Sequence, residues 1–240
     1  MEEVFNMDST IGNRIILMTG GLDSYILWRL SGRPHGIYFD IGGKYSEIEK
    51  QKLQQIEDHF GKKYFKVIRK FSLGEYSEDD GYVPYRNLFL FLWTSLEYSK
   101  VELLFGQVLE WVVDKNKIFY KQVESMVKVL GRRQMKIITP HAKLTKTKTV
   151  AMFLERGYPK EELINLTYSC LEGTIPPCGI CLSCMNRYIA FKNNKLEEAL
   201  LKIPTKEDFL SNIKEKKYMF KLRTIPIILQ RYKEAKGILL

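Results

Sequence analysis

All four cysteines of the chain fall in one short segment, as Cys170, Cys178, Cys181 and Cys184. Thiolates two residues apart on a tight turn can bind one metal ion, and four of them form a closed tetrahedral set. The spacing therefore predicts a structural zinc site, with an iron–sulfur cluster as the alternative because C-x-x-C-x-x-C also suits iron. Clustered rather than dispersed cysteines also indicate a reducing compartment instead of a disulfide-bonded secreted protein.

A second candidate site is the segment TGGLDS at residues 19–24, which follows an apolar run and precedes an amphipathic stretch. Gly20 and Gly21 lack a Cβ, so the backbone can turn sharply and approach a ligand closely. A helix beginning here would present unpaired N–H groups and its positive dipole end to an anion. Asp23 is expected to cap that helix or to hold Mg²⁺. The segment predicts a phosphate site, with a plain strand-to-helix turn as the alternative; it is neither a Walker loop nor a dinucleotide fingerprint.

The elements that must position these residues alternate between short β-rich runs and longer amphipathic stretches. We expect strands at 14–18, 36–40, 63–68, 101–105 and 137–139. We expect helices at 23–30, 45–60, 87–99, 145–156 and 182–192. This alternation predicts an α/β fold, an open parallel five-stranded sheet with helices on both faces. We further expect three regions: an ATP-binding α/β domain at 1–166, a four-cysteine metal-binding segment at 167–194 and a basic helical tail at 195–240.

The chain has 240 residues, 45% of them hydrophobic, and a net charge of +10, which excludes a disordered protein and suggests an anionic partner. The tail carries half of that charge, and Thr205 with Asp208 predicts a capping box there. Packing of the tail on the core or on a sister subunit is favoured over nucleic-acid binding, since aromatic residues are not interleaved for base stacking. The acidic N-terminus and short apolar runs predict a cytoplasmic protein without a membrane partner.

The phosphate segment resembles the S-G-G-x-D-S loop of the PP-loop ATP pyrophosphatases, which cleave ATP between the α- and β-phosphates. Further segments occur in the order seen in one family of that group: FDIG at 39–42, VPYRN at 83–87, LTK at 144–146, TYSC at 167–170 and CGICLSC at 178–184. Together with Gly106 after the fourth predicted strand, this ordered set is similar to the QueC family, the 7-cyano-7-deazaguanine synthases.

The resemblance implies a ligase of queuosine-type deazapurine biosynthesis. Such an enzyme adenylates 7-carboxy-7-deazaguanine with ATP and uses ammonia to form the amide and then the nitrile. It implies catalytic roles for Asp23, Arg86 and Lys146, and substrate binding by Arg86 and Asn87. The residues implied in ATP binding are Met18, Thr19, Gly20, Gly21, Leu22, Asp23, Ser24, Tyr25, Asp40 and Gly106. The implied cofactors are ATP, Mg and Zn, the last on the four cysteines, and a homodimer is compatible with the sequence.

The segment at 109–117 lacks the S-G-Y-P-D-C-R-like stretch that shapes the base pocket in the family, which leaves the identity of the acid open. Three alternatives follow. The chain could be a divergent relative acting on another acid or on a macromolecule, a PP-loop ATPase that modifies tRNA, or a binding module without turnover. A tRNA thiolase, one form of the second alternative, is disfavoured. Such enzymes generally need cysteines near the ATP-binding loop, whereas these cysteines are distant in sequence from the phosphate segment.

Overall fold

The computed structural model describes residues 14–68, 72–78, 83–109, 115–215 and 225–239. Its strands are β1 (Arg14–Leu17), β2 (Gly36–Phe39), β3 (Phe65–Ile68), β4 (Lys100–Phe105) and β5 (Gln134–Ile138). They form one sheet in the order β3-β2-β1-β4-β5, and every neighbouring pair is parallel. The predicted open parallel five-stranded sheet is confirmed. The carboxyl ends of β1 and β4, its central neighbours, therefore lie side by side at one edge.

The helices are α1 (Leu22–Leu30), α2 (Ser46–Phe60), α3 (Arg86–Glu97), α4 (Lys117–Val129), α5 (Lys146–Glu155), α6 (Lys160–Asn165), α7 (Leu182–Asn193), α8 (Lys206–Glu215) and α9 (Ile225–Ala235). A short 3-10 helix spans Leu73–Tyr76. No helix was predicted over Lys117–Val129, where the sequence shows a stretch rich in basic residues. Asn116 caps this helix by accepting from the N–H groups of Ile118 and Phe119, both at 3.0 Å. Its buried residues Tyr120 and Val123 pack on the sheet, while its lysines face water.

Both faces of the sheet are covered, as predicted. Alternate residues of β1 point to opposite sides: Ile16 packs with α1, α2, α5, α6 and α7, whereas Ile15 packs with α3 and α4. Both side chains are fully buried. A parallel strand buried on two faces is expected to be apolar throughout, and this is the pattern of β1 after Arg14.

The C-terminal part of the chain packs against the same body. Phe191 of α7 lies in the core beside α1, while Phe209 of α8 and Ala235 of α9 pack on another face of α7. The predicted capping box at the start of α8 is confirmed: the Thr205 N–H donates to Asp208 Oδ2 at 2.9 Å, and the Asp208 N–H donates to Thr205 Oγ1 at 3.2 Å. The tail helices therefore follow the favoured prediction of packing on the core.

Arg187 of α7 is buried, with 2% of its surface exposed. Its Nε donates to Glu198 Oε2 at 2.6 Å, one terminal nitrogen donates to Thr167 Oγ1 at 2.6 Å, and the other donates to the Leu163 carbonyl at 2.9 Å. The guanidinium also lies 4.4 Å from the centre of the Phe191 ring. The buried guanidinium thus links α7 by hydrogen bonds to Leu163 in α6, to Thr167 before the cysteines and to Glu198 in the tail.

Candidate functional site

The phosphate segment lies where the sequence predicts, between β1 and α1. Gly20 has φ of +68°, a conformation that glycine adopts without strain. The Gly21 N–H donates to Thr19 Oγ1 at 3.2 Å, and Ser24 Oγ donates to the Gly21 carbonyl at 3.0 Å. Both hydroxyls therefore brace the loop from within. No side chain caps the start of α1 in the described part of the chain, so the first N–H groups of this helix can bind an anion, as the prediction of a phosphate site requires.

Of the two alternative roles expected for Asp23, capping α1 or holding Mg²⁺, the structure does not show the cap. The N-cap is Gly21, and no side chain accepts a capping hydrogen bond there. Asp23 lies two residues after the N-cap position, and its Oδ2 instead accepts from Lys146 Nζ at 2.7 Å. Its other oxygen, Oδ1, is buried and has no hydrogen-bond partner among the described residues. A buried carboxylate oxygen without a donor can serve as a ligand for a hard cation such as Mg²⁺.

Lys146 is the first residue of α5, and its side chain is only 11% exposed. Thr145 positions it as the N-cap, because Thr145 Oγ1 accepts from the Lys148 N–H at 3.2 Å. A lysine held beside an aspartate at the edge of a cleft can neutralise part of a polyphosphate charge.

Gly106, the first residue after β4, packs directly on the first turn of α1. A Cβ at this position would lie 2.8 Å from Ser24 Cα and 2.9 Å from the Ser24 nitrogen, closer than real Cβ contacts allow. The site therefore needs glycine here for packing between the sheet edge and the helix. This contact sets the distance between the end of β4 and the phosphate segment.

These residues line a cleft of about 230 Å³ at the carboxyl edge of the sheet. Ten residues of the predicted site are among those that line the cleft: Thr19, Gly21, Leu22, Asp23, Ser24, Arg86, Asn87, Gly106, Lys146 and Cys170. The other predicted residues are not among its lining residues: Met18, Gly20, Tyr25, Asp40, Cys178, Cys181 and Cys184. Open α/β sheets bind ligands at this edge, so the placement agrees with the expectation for a ligand site.

The remaining residues have other surroundings. Met18 and Tyr25 are fully buried in the core, and the Tyr25 hydroxyl donates to Glu162 Oε2 at 2.7 Å. Asp40 accepts from Lys50 Nζ at 2.9 Å and from the Gly42 N–H at 3.0 Å. Burial by itself would raise the pKa of Asp40, but these hydrogen bonds outweigh it and hold the pKa below its ordinary value. The described contacts of Asp40 are thus with α2 and the loop after β2.

Arg86 and Asn87 enter the cleft from the start of α3. Tyr85, just before them, has a left-handed backbone with φ of 59°. Burial raises the pKa of the neighbouring Tyr45, while the positive charge of Arg86 opposes that shift. Asn87 is 2% exposed, and its Nδ2 has no hydrogen-bond partner among the described residues. The end of the cleft at α3 thus offers a cation and an unused amide donor.

Glu49 of α2 also lines the cleft, and the sequence analysis missed it. Its Oε2 accepts from the Tyr38 hydroxyl at 3.0 Å. Burial raises the pKa of Glu49 to about 8, although the Tyr38 hydrogen bond and the charge of Arg86 both oppose the shift. Glu49 is one of several acidic residues on α2, so no signal short of the tertiary structure could have singled it out.

The four cysteine sulfurs come together, with all four Sγ atoms within 4.8 Å of one another. A metal–sulfur bond of about 2.3 Å in a tetrahedral set implies sulfur separations of about 3.8 Å. The observed distance from Cys178 Sγ to Cys184 Sγ is 3.9 Å. Burial alone would raise the pKa of Cys170, but hydrogen bonds, including one from the Cys178 N–H, lower it to about 7. The predicted cluster can therefore hold a single metal ion.

The cysteine segment is attached to the phosphate segment. The Tyr168 N–H donates to the Gly20 carbonyl at 3.0 Å, and Cys170 contributes to the cleft wall. Gly179, with φ of +84°, packs where a Cβ would overlap the Lys202 carbonyl. The cluster therefore connects the edge of the cleft to the start of the tail. Among the described residues, no helix has the length and apolar character needed to cross a membrane.

A family model described as queuosine biosynthesis protein QueC matches residues 44–195. The 7-cyano-7-deazaguanine synthase of Persephonella marina is 29% identical over 221 residues, covering 78% of this chain and 96% of the relative. The protein of that name from Prochlorococcus marinus subsp. pastoris is 26% identical over 226 residues, covering 80% and 99%. A solved structure, described as a predicted subunit of tRNA methyltransferase from Methanocaldococcus jannaschii, aligns with a TM-score of 0.46 at 19% identity, covering 60% of this chain and 75% of that one.

Proposed function

Because the chain belongs to the family of queuosine biosynthesis protein QueC, we propose that it is an ATP-dependent carbon–nitrogen ligase of 7-deazapurine metabolism. In the proposed reaction, ATP adenylates the carboxylate of 7-carboxy-7-deazaguanine and ammonia displaces AMP to give the amide. A second activation of the amide oxygen then gives the nitrile. The observation that carries this proposal is that one cleft brings together the phosphate segment, the Lys146–Asp23 pair and Arg86.

The triphosphate of ATP would bind at the N-terminus of α1. Gly20 and Gly21 allow close approach, and the free N–H groups of the first turn point to the anion. Lys146 would supply a positive charge, shared in the resting protein with Asp23 at 2.7 Å. Asp23 Oδ1, which lacks a donor among the described residues, fits a Mg²⁺ ligand. Mg²⁺ held there would neutralise phosphate charge during adenylation.

The acid would bind at the end of the cleft where α3 begins. Arg86 can form two parallel hydrogen bonds with a carboxylate, which both holds and orients that group. The Asn87 amide, buried and without a partner for Nδ2 among the described residues, would donate to the acid. Bound in this way, the acid would share the cleft with the triphosphate of ATP, as adenylation requires. Positioning and charge neutralisation then account for the catalysis, without a nucleophilic side chain.

The four cysteines would hold a structural zinc ion. Their sulfurs lie within 4.8 Å of one another, which suits one tetrahedral ion. In a four-iron cluster each thiolate binds a different iron, so the thiolates must stand further apart than around a single ion. A closed set of four sulfurs leaves no open coordination position for substrate. Zinc at this place would stabilise the segment that hydrogen-bonds to Gly20.

The test is incubation of the purified protein with ATP, Mg²⁺, ammonium and 7-carboxy-7-deazaguanine, scoring AMP release and product mass. We expect acid-dependent AMP and the masses of the amide and the nitrile. Lys146→Met should reduce AMP release strongly, because it removes the charge beside the phosphate segment. Lys148→Met is the matched control: it lies two residues further on the same helix, is exposed, and should leave AMP release unchanged.

Absence of acid-dependent AMP from the wild-type protein would refute this substrate. The same assay with other 7-deazapurine acids then separates two outcomes. AMP release with another acid would retain the ligase and replace its substrate. AMP release with none of them, despite ATP binding, would refute the ligase activity itself. Equal activity of Lys146→Met and Lys148→Met would remove Lys146 from the site.

A further inference from the structure

The cleft contains one carboxylate that the proposed adenylation does not use, that of Glu49. Its backbone packs on the phosphate segment: a Cβ at Gly20 would lie 3.2 Å from the Glu49 carbonyl oxygen and 3.8 Å from Glu49 Cα. Glu49 is therefore an immediate neighbour of the loop at which the adenylate would form. Its side chain points into the same cleft as Arg86 and Lys146.

The contacts of Glu49 differ from those of a structural ion pair. Within the described part of the chain, the Glu49 carboxylate accepts one hydrogen bond, from the Tyr38 hydroxyl, and Tyr38 itself is 1% exposed. Among the described residues, no lysine, arginine or histidine nitrogen lies within ion-pair distance of the Glu49 carboxylate. By contrast, the buried Glu162 accepts two hydrogen bonds from Arg29, at 2.7 and 2.9 Å. Glu49 is thus half-buried and oriented by a neutral donor, which leaves its carboxylate free to exchange a proton.

We propose that Glu49 is a further catalytic residue of this site, the base that takes a proton from the incoming ammonium ion. This inference rests on the proposed function, because it concerns the nitrogen donor of that reaction. At neutral pH the nitrogen source is mostly ammonium, which has no lone pair with which to attack. A carboxylate beside the adenylate both attracts this cation and accepts its proton.

Glu49 deprotonates ammonium before the nitrogen attacks the adenylate. A proton moves from ammonium to a Glu49 carboxylate oxygen and leaves ammonia. The nitrogen lone pair forms a bond to the acyl carbon of the adenylate, and the bond from that carbon to the phosphate oxygen breaks, so that AMP leaves with the electron pair. The nitrogen loses a second proton to solvent and becomes the amide nitrogen. The Glu49 carboxyl then returns its proton to solvent, and nothing is oxidised or reduced.

The test separates adenylation from nitrogen transfer in Glu49→Gln, which keeps the size of the side chain and an oxygen for the Tyr38 hydroxyl. Acid-dependent ATP–pyrophosphate exchange, measured without ammonium, should stay close to that of the wild type. Amide formation from ammonium should be compared near pH 8, where a substantial share of Glu49 is ionised and the nitrogen source is still mostly ammonium. There it should fall roughly 100-fold, the usual contribution of a general base. Hydroxylamine is uncharged at neutral pH and needs no base, so hydroxamate formation by the variant should match the wild type.

Glu155→Gln is the matched control, since Glu155 is exposed on α5, and it should leave all three rates unchanged. Loss of exchange in Glu49→Gln would overturn the inference, because Glu49 would then serve ATP binding or the fold. Unchanged amide formation from ammonium would overturn it as well, as would an equal loss with hydroxylamine. Absence of exchange in the wild-type protein is a different result: it refutes the proposed function, and this inference with it.

The pH profile gives a second readout. The groups facing Glu49 are Tyr38 from β2, Asp40 after β2, Tyr45 before α2 and Arg86 from α3. Amide formation by the wild type should rise with pH through about 8, where Glu49 loses its proton. Tyr38→Phe removes the donor that stabilises the ionised form, so the rise should move to higher pH. A profile identical in wild type and Glu49→Gln would overturn the inference.

Discussion

The buried Arg187 allows a quantitative test of how the C-terminal part of the chain is held to the sheet. Arg187→Met keeps most of the side-chain volume and its contact with Phe191, so the change mainly removes the charge and its hydrogen bonds. Glu198, whose side chain is 8% exposed, would then be buried without its partner. Its Oε1 already lacks a hydrogen bond among the described residues. The Glu198 carboxylate would therefore have no second donor to compensate for the loss of the arginine.

Removing one partner of a buried ion pair costs about 3–5 kcal/mol, because the remaining charge stays desolvated. For a chain of this size, each kcal/mol lowers the melting temperature by about 2–4 °C, so Arg187→Met should lower it by about 6–20 °C. The additional change Glu198→Leu should recover much of this loss, since neither charge is then buried alone. Urea unfolding followed by circular dichroism measures the free energies of the two variants.

Lys192→Met on the same helix is the control. Lys192 pairs with Glu197, whose side chain is 84% exposed, so this change should leave the melting temperature as it is. The reasoning is refuted if Arg187→Met loses less than about 1 kcal/mol, the value expected of an exposed pair. It is refuted equally if the double variant is no more stable than Arg187→Met alone, since the cost would then not come from the unpaired Glu198.

Two further predictions concern the metal and the pH dependence of stability. Cys184→Ser should lose bound zinc, measured by elemental analysis, and should unfold at lower urea concentration; a wild-type protein with the visible absorption of iron–sulfur would contradict the zinc assignment. The depressed pKa of Asp40 means that its ionised form, paired with Lys50, stabilises the fold at neutral pH, and this contribution is lost as the pH falls through that pKa. Asp40→Asn should therefore lower stability at neutral pH but not in strong acid, and an equal loss at both would contradict the pairing.

Much of the fold could be predicted because the apolar runs, glycines and helix caps in the sequence mark the same boundaries as the packed structure. β1 is apolar throughout and is followed at once by the glycines of the phosphate segment, so both the strand and its turn are readable. Thr145 marks the start of α5 as an N-cap, and Gly157 ends the helix region with φ of +76°. The cysteines are predictable because their spacing alone brings the thiolates together. How the chain divides into domains stays a prediction.

The misses have physical causes. α4 carries lysines on its exposed face, which dilute the apolar spacing of Tyr120, Val123 and Val127. α6 has only six residues, too few for a periodic pattern to stand out. Capping was one of two roles expected for Asp23, since it stands near the start of α1, but the cap must occupy the residue before the first turn, which is Gly21. Glu49 differs from other acidic residues of α2 only through burial beside Tyr38 and the cleft.

The contact between Gly106 and the first turn of α1 restricts sequence change at one end of the cleft and not at the other. Since even one added carbon at Gly106 would meet the backbone of Ser24, the part of the cleft at the phosphate segment tolerates little change where β4 and α1 meet. Arg86 and Asn87 stand on α3, outside that contact. Under the proposed function, in which Arg86 holds the acid, mutations on α3 would alter which acid is accepted while the phosphate segment keeps its shape. A laboratory redesign for a new acid would best diversify α3 and leave Gly106 untouched.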